Sequence, residues 1–273
     1  LRDVMGVVKT PPGNLFFENS EYIQLAFRRP ESSHIFSTPK TDASVSGMFL
    51  LDKICVDGKV ERGLLAHPKA PRFVHIDMAL NSDDIGIAMG CCGGWKTIIR
   101  RDDETMKEVT EYLPETYIDF MLQVVPGGKD VSPAKIRNLI IRLRDIGYNI
   151  QLVSGDQYAF SSLIELRDSQ FKVDKISAED MGTHLRAKTA FYDRRVDAYR
   201  HEVANRQLLG MRISNDRKKI LKPSSGINSG VENAVVAVIW AVNEFSKRSA
   251  QIAPSVTTGL SAQQMMLRQL RSR

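Results

Sequence analysis

One stretch restricts the fold more than any other. From Tyr117 to Asp156 the chain reads "YIDFMLQVVPGG", then, after Lys129 to Val131, "SPAKIRNLIIRLRDIG" and "YNIQLVSGD". The first and last are apolar runs of strand length. Between them Ile136, Leu139, Ile140, Leu143 and Ile146 fall on one stripe, the period of an amphipathic helix. Ser132 at the cap, Pro133 at the first helical position and Gly147 past the last turn bound that helix. Strand, helix and strand in this order make the two strands parallel, and such crossovers are right-handed. The chain must therefore contain an α/β sheet with a helix laid on it.

Upstream, "RFVHIDMALNSDDIGIAMGCCGGW", Arg72 to Trp95, reads as a β-hairpin. With the strand at Tyr117 it makes an antiparallel meander, so strand three is parallel to strand one. A crossover passing over the meander then lands strand four beside strand one, giving the order 3-2-1-4, with a short fifth strand around Phe171 to Val173. Asp77 is a lone acid between Ile76 and Met78 in strand one, and Asp156 stands just past strand four. Burying an unpaired carboxylate costs several kcal/mol, roughly 3 or more. This topology makes the two acids neighbours, and neighbouring carboxylates repel unless they share a proton or a cation. Oxygen donors at a sheet end suit Mg²⁺ or Mn²⁺. Asp77 is thus a candidate metal ligand.

Composition narrows the class. The chain has 273 residues, 42% hydrophobic and 26% charged, with net charge +6 and a pI near 9.2. That is a globular protein with a mild basic bias towards nucleic acid. No apolar run is long enough to cross a bilayer. Cys91 and Cys92 are adjacent and Cys55 is alone, which makes neither a disulfide framework nor a CxxC site. Residues 1–70, rich in Pro, Ser and charge, read as a connecting region of short elements, and residues 71–250 as the compact domain. Residues 251–273 read as a flexible tail, and the start at Leu1 reads as that of a piece of something longer. Helices are expected over 158–169, 178–195 and 198–211, and the nearly all-apolar "VENAVVAVIWAVNEFSK" should pack on the sheet.

Together, "FVHIDMALNSDDIGIAMG", "YIDFMLQVVP", "LVSGDQYAFSS" and "RRVDAYRHEVANRQLLGM" resemble the ribonuclease-H-like nuclease domain of phage terminase large subunits. "LRDVMGV" at the start resembles the piece that joins such a domain to its ATPase. The resemblance implies an α/β fold with a mixed central sheet flanked by helices, in the order 3-2-1-4 plus the short fifth strand. It implies a DNA endonuclease that cuts concatemeric duplex DNA with two ions of Mg²⁺ or Mn²⁺ in the host cell cytoplasm. The implied partners are duplex DNA, an ATPase domain of the same full-length chain, a small terminase subunit and a portal protein. "VVPGGKDVS" fails the phosphate-loop pattern at Gln123 and Asp130, so the ATPase is not expected on this chain.

Carried over residue by residue, the resemblance makes Asp77 a bridging ligand and Asp156 a second ligand. The third acid of the family opens the last helix. Here "SGVENAV" has Gly230 at that place and Asn233 at the next acidic one, so Glu232 is the nearest acid. Either Glu232 substitutes, with Asn233 adding a donor, or metal binding is weakened, or the domain has lost its cutting activity and serves as a DNA-binding and docking module. A junction-resolvase-like nuclease on the same fold is a further alternative. Lys96, Arg100 and Arg101, in what reads as a long connection between strands two and three, are candidates for the duplex backbone. Blander readings stand beside these. Asp83 and Asp84 suit a hairpin turn, Asp119 a structural role, His75 a core position, and Arg194 and Arg195 a solvated surface.

Overall fold

A computed structural model describes residues 14–33, 35–36, 40–42, 55–56, 59–60, 65–78, 84–101, 107–125, 131–177, 180–214, 219–221 and 230–252. In chain order the elements are β1 (Asn14–Leu15), α1 (Ser20–Ala26), β2 (Lys40–Asp42), β3 (Cys55–Val56), β4 (Lys59–Val60), β5 (Arg72–Asp77), β6 (Ile85–Arg101) and β7 (Glu108–Val125). They continue with α2 (Pro133–Asp145), β8 (Ile150–Gly155), α3 (Gln157–Leu163), β9 (Val173–Lys175), α4 (Met181–Tyr192), β10 (Val196–Asp197), α5 (Glu202–Gly210), β11 (Arg212–Ile213), β12 (Ile220–Leu221) and α6 (Val231–Ile252). Asp83 and residues 253–273 of the expected tail lie outside the described residues.

The central sheet runs β10-β7-β6-β5-β8-β9. β5, β6 and β7 are antiparallel neighbours, and β8 and β9 continue from β5 in parallel. This is the expected order 3-2-1-4 with a fifth strand. β10 and β2 add two short parallel strands along β7, each too short to leave a periodic signal in sequence. The helices expected over 158–169, 178–195 and 198–211 are shorter than their patterns. A 3-10 turn, Ile164–Arg167, finishes the first, and β10 occupies residues between the other two.

Alternation along the strands gives each face its own core. Val74, Ile76, Ile87, Phe120 and Val153 pack against the Ile136, Leu139, Ile140 and Leu143 stripe of α2. Phe73, Ala88, Met121 and Leu152 face α6, which is buried from Val231 to Ile239. A helix covered on all sides needs no polar stripe, which accounts for its composition. Phe16 and Phe17 enter the same core from residues 14–36. That segment is tied down by Arg29, which pairs with Asp197 at 3.0 Å and lies 3.9 Å above the Tyr117 ring. On the other face Arg72, wholly buried, donates to the carbonyls of Ala66, His67 and Ala70 and meets Asp119 at 3.3 Å. Asp119 is structural, as its sequence context suggested.

Two details depart from the sequence reading. Ser132 stands at the α2 N-cap but makes no capping side-chain bond. More consequentially, the long connection expected around Lys96, Arg100 and Arg101 is strand. β6 and β7 stay paired from Ile85↔Val124 out to Arg101↔Glu108, absorbing Gly93 as an irregularity between Cys92 and Gly94. Glycines inside a strand mark such bulges as readily as they mark loops.

Gly86 lies where α6 reaches the sheet, and a Cβ there would run into the carbonyl of Gly230 and the amide of Val231. Gly86→Ala should therefore lower stability by about 1–3 kcal/mol, read from chemical denaturation. A second test uses pH. Burial pushes His184 down to about 4 and His75 to about 3, from an ordinary 6.5. A depressed folded-state value contributes stability that is present above the unfolded value and is lost as pH falls towards the folded one. Stability should decline from pH 6.5 towards 4, and His184→Leu should flatten that decline.

Candidate functional site

The site grows from one row of residues. Asp77 ends β5, its partner across the β5–β6 pair is Gly86, and Gly86 is in turn opposite Gln123 of β7. On the other side the parallel β5–β8 register reaches Ile76↔Gly155, so the next pair in step is Asp77 and Asp156. Asp156, Asp77, Gly86 and Gln123 thus lie side by side across the ends of four strands, at a neighbour spacing of about 4.8 Å. The row belongs to the α6 face, because the side-chain direction at Gly86 runs into Gly230 at the start of that helix.

The first turn of α6 closes over Asp77. The Asn233 amide donates from Nδ2 to Asp77 Oδ2 at 3.0 Å, with both residues buried. Gly230 approaches the same oxygen, and a Cβ there would lie 2.7 Å from it. Gly230 also has φ of +65°, a left-handed conformation that favours glycine. An Asp at 230, where the sequence resemblance would place a third acid, would be strained twice over on this backbone. Residues three apart share a helix face, so Gly230 and Asn233 meet Asp77 together. Glu232, fully buried, points about 100° round from Asn233. Its place in the first turn suits the helix dipole.

Asp156 is at the strand end and also caps α3, accepting from the amides of Tyr158 at 3.1 Å and Ala159 at 2.7 Å. Below it, Ser154 Oγ donates to the Val74 carbonyl at 3.1 Å and lies 2.9 Å from His75 Nδ1. A hydroxyl has one proton, so His75 donates to Ser154, which locks β5 to β8 two residues beneath the acids. Asp84, read as a turn residue, is buried and accepts from Gln123. It adds an acid to the same face that sequence reasoning missed. Its place in "DDIGIAMG", directly before an apolar strand, was the available signal.

The basic candidates are elsewhere. Lys96 and Arg101 lie ten and fifteen residues along β6 from Gly86, hence roughly 30 and 50 Å from Asp77 at the strand rise. Lys96 donates to the carbonyls of Asp193 and Arg194 at 2.9 and 3.3 Å, while Arg100 pairs with Glu111 at 2.7 Å and Asp193 at 2.6 Å. Arg101 is exposed. Arg195, read as solvated surface, is instead buried between Asp193, the Pro114 carbonyl and Asn243. A cavity of about 450 Å³ opens beside this network, lined by Arg100, Arg186 and Arg195. α6 reaches the cavity at Asn243, ten residues beyond Asn233 and so about 15 Å along the helix from the acids.

The double use of Asp156 is separable. Asp156→Asn keeps a capping oxygen and should leave stability within a few tenths of a kcal/mol, roughly 0.3, while Asp156→Ala should cost about 1 kcal/mol. Thermal and chemical denaturation of the pair would measure this.

No protein-family model matches the chain, and no curated protein sequence matches it. Among solved structures, the chain is similar to the large terminase nuclease domain of Thermus phage P74-26, at 8% identity and a TM-score of 0.48 over 80% of this chain and 92% of that one. It is similar to the large terminase nuclease of thermophilic phage G20c with bound magnesium, at 11% identity and a TM-score of 0.43 over 65% and 83%. It is also similar to the large terminase of bacteriophage HK97, at 8% identity and a TM-score of 0.45, covering 82% of this chain and 43% of that one. The chain thus spans less than half of the HK97 protein. All three structures are phage large terminases or their nuclease domains, and the identities are low.

Proposed function

We propose that this chain is the nuclease domain of a viral DNA-packaging terminase. In this reading it is an endodeoxyribonuclease that hydrolyses phosphodiester bonds in concatemeric duplex DNA with Mg²⁺ or Mn²⁺, two ions in the scheme the resemblance implies. The observation that carries the reading is the row of Asp156, Asp77, Gly86 and Gln123 at the ends of the central strands, beneath the first turn of α6. Acids brought together at the end of a sheet are costly unless they serve a cation or a proton.

The donor set fits a divalent ion in part. Asp77 and Asp156 offer the hard oxygens that Mg²⁺ and Mn²⁺ take. Against that, no three His, Cys, Asp or Glu side chains among the described residues are grouped to hold a metal ion. Asn233 also turns an N–H, not an oxygen, towards Asp77. Divalent ions bound there would supply an activated water and stabilise the leaving 3′ oxygen. The chain's own part is to hold and orient them, through Asp77 on the central strand, Asp156 on its neighbour, and Glu232 or Asn233 from α6. Contacts to phosphates position DNA without reading bases, so little sequence preference is expected. Of the three basic candidates, Arg101, which is exposed, can reach a phosphate without breaking a pair among the described residues. In a packaging motor the setting would be the host cell cytoplasm, with an ATPase domain, a small subunit and a portal as partners. No helix among the described residues is long and apolar enough to cross a membrane.

A second reading, a DNA-binding and docking module without cutting activity, is favoured by Gly230, whose conformation and crowding exclude the third acid. A supercoiled-plasmid assay separates the two. Wild type should nick plasmid slowly in millimolar Mn²⁺, and Asp77→Asn should abolish nicking with an unchanged circular dichroism spectrum. Wild-type protein that cuts with neither metal would establish the module.

A further inference from the structure

We infer that Asn233 is a built-in stand-in for a cation on Asp77: its amide holds the carboxylate while no ion is bound, and must turn over for an ion to be admitted. The inference rests on the reading of Asp77 as a cation ligand. It concerns the cation-free protein, about which that reading says nothing.

A carboxylate only accepts, whereas an amide has a donating and an accepting end. The 3.0 Å contact between Asn233 and Asp77 Oδ2 therefore fixes which end faces the acid and sends Asn233 Oδ1 away from it. Both residues are buried, so this is a charge-assisted bond in a low-dielectric setting, the stronger kind. Gly230 converges on the same oxygen. Asp77 Oδ2 is thus closed from the α6 side by an N–H and by backbone, and an ion that enters from that side must displace the amide.

Two consequences follow for the same residue. Without an ion, the amide relieves the repulsion that a second carboxylate at this place would create, so the fold does not depend on metal. With an ion, half a turn about the terminal side-chain torsion, which is soft, brings Asn233 Oδ1 inward and makes the residue a neutral ligand. The exchange of one contact for another keeps the affinity low. It also makes residue 233 the one that sets how tightly the row takes a divalent ion, since affinity at oxygen sites follows ligand charge.

The test compares wild type, Asn233→Asp and the swapped pair Asp77→Asn with Asn233→Asp, by thermal denaturation in EDTA and by titration with Mn²⁺ alone. Asn233→Asp should melt roughly 2–4 °C or more below wild type in EDTA and bind Mn²⁺ at least about tenfold more tightly. The swapped pair rebuilds the bond with its ends exchanged and should recover the melting temperature in EDTA. Asn233→Asp that melts with wild type in EDTA and binds Mn²⁺ no better overturns the inference, as does a swapped pair no more stable than the single variant. If Asn233→Asp does not fold, a folded swapped pair supports the inference and an unfolded one overturns it. These readouts do not depend on cutting. An Asn233→Asp protein that behaves as expected but never nicks plasmid supports this inference while removing the nuclease reading.

Discussion

The contact on which most of the arrangement depends is the approach of two backbones, Gly86 of β6 and Gly230 at the head of α6. No side chain fits between them, so the helix is seated directly on the sheet at one end. Every residue that follows on α6 inherits its depth and rotation from that seat. The apolar face from Val231 onward meets Phe73, Ala88 and Met121 because the first turn is already in place. Asn233 reaches Asp77 for the same reason. The polar site and the larger core are consequences of one close packing.

Much of this was legible in the chain because it rests on local period. The α2 stripe, the apolar strands around it and the hairpin at Arg72 identify a crossover on a meander, and the crossover alone brings Asp77 beside Asp156. What stayed hidden depends on residues far apart in sequence. Nothing near Gly86 announces Gly230, nothing near Lys96 announces Asp193, and nothing near Arg195 announces the Pro114 carbonyl or Asn243. The outer part of β6 and β7 was unreadable for another reason. Its turned-in row, Lys96, Ile98 and Arg100, is only half-buried and largely charged, while Thr97, Ile99 and Arg101 are exposed, so no apolar alternation marks the ribbon and "CCGGWKTIIRR" looks like a loop although all of it but Gly93 is paired.

The acids show how little a residue type says about its use. Asp119 and Asp77 are both buried carboxylates on central strands. The first meets a guanidinium that is itself held by three carbonyls, an arrangement with its charges matched inside the fold. The second accepts from the amide of Asn233, at a sheet end where the strands stop. The same residue type is a brace inside the sheet and a candidate ligand at its end.

The long pairing of β6 with β7 also bears on the order in which the molecule assembles. Ile98 and Glu111 are 13 residues apart in the chain, whereas Ile76 and Gly155, which pair β5 with β8, are 79 apart. Loop closure makes the second contact costlier by about 1.6 kcal/mol in chain entropy. Contacts of short sequence separation form early, so the outer ribbon is where the sheet can nucleate and zip inward towards Gly86. α6, the last of the described elements in chain order, brings Asn233 onto Asp77 only after the strands that carry the acids have been laid down.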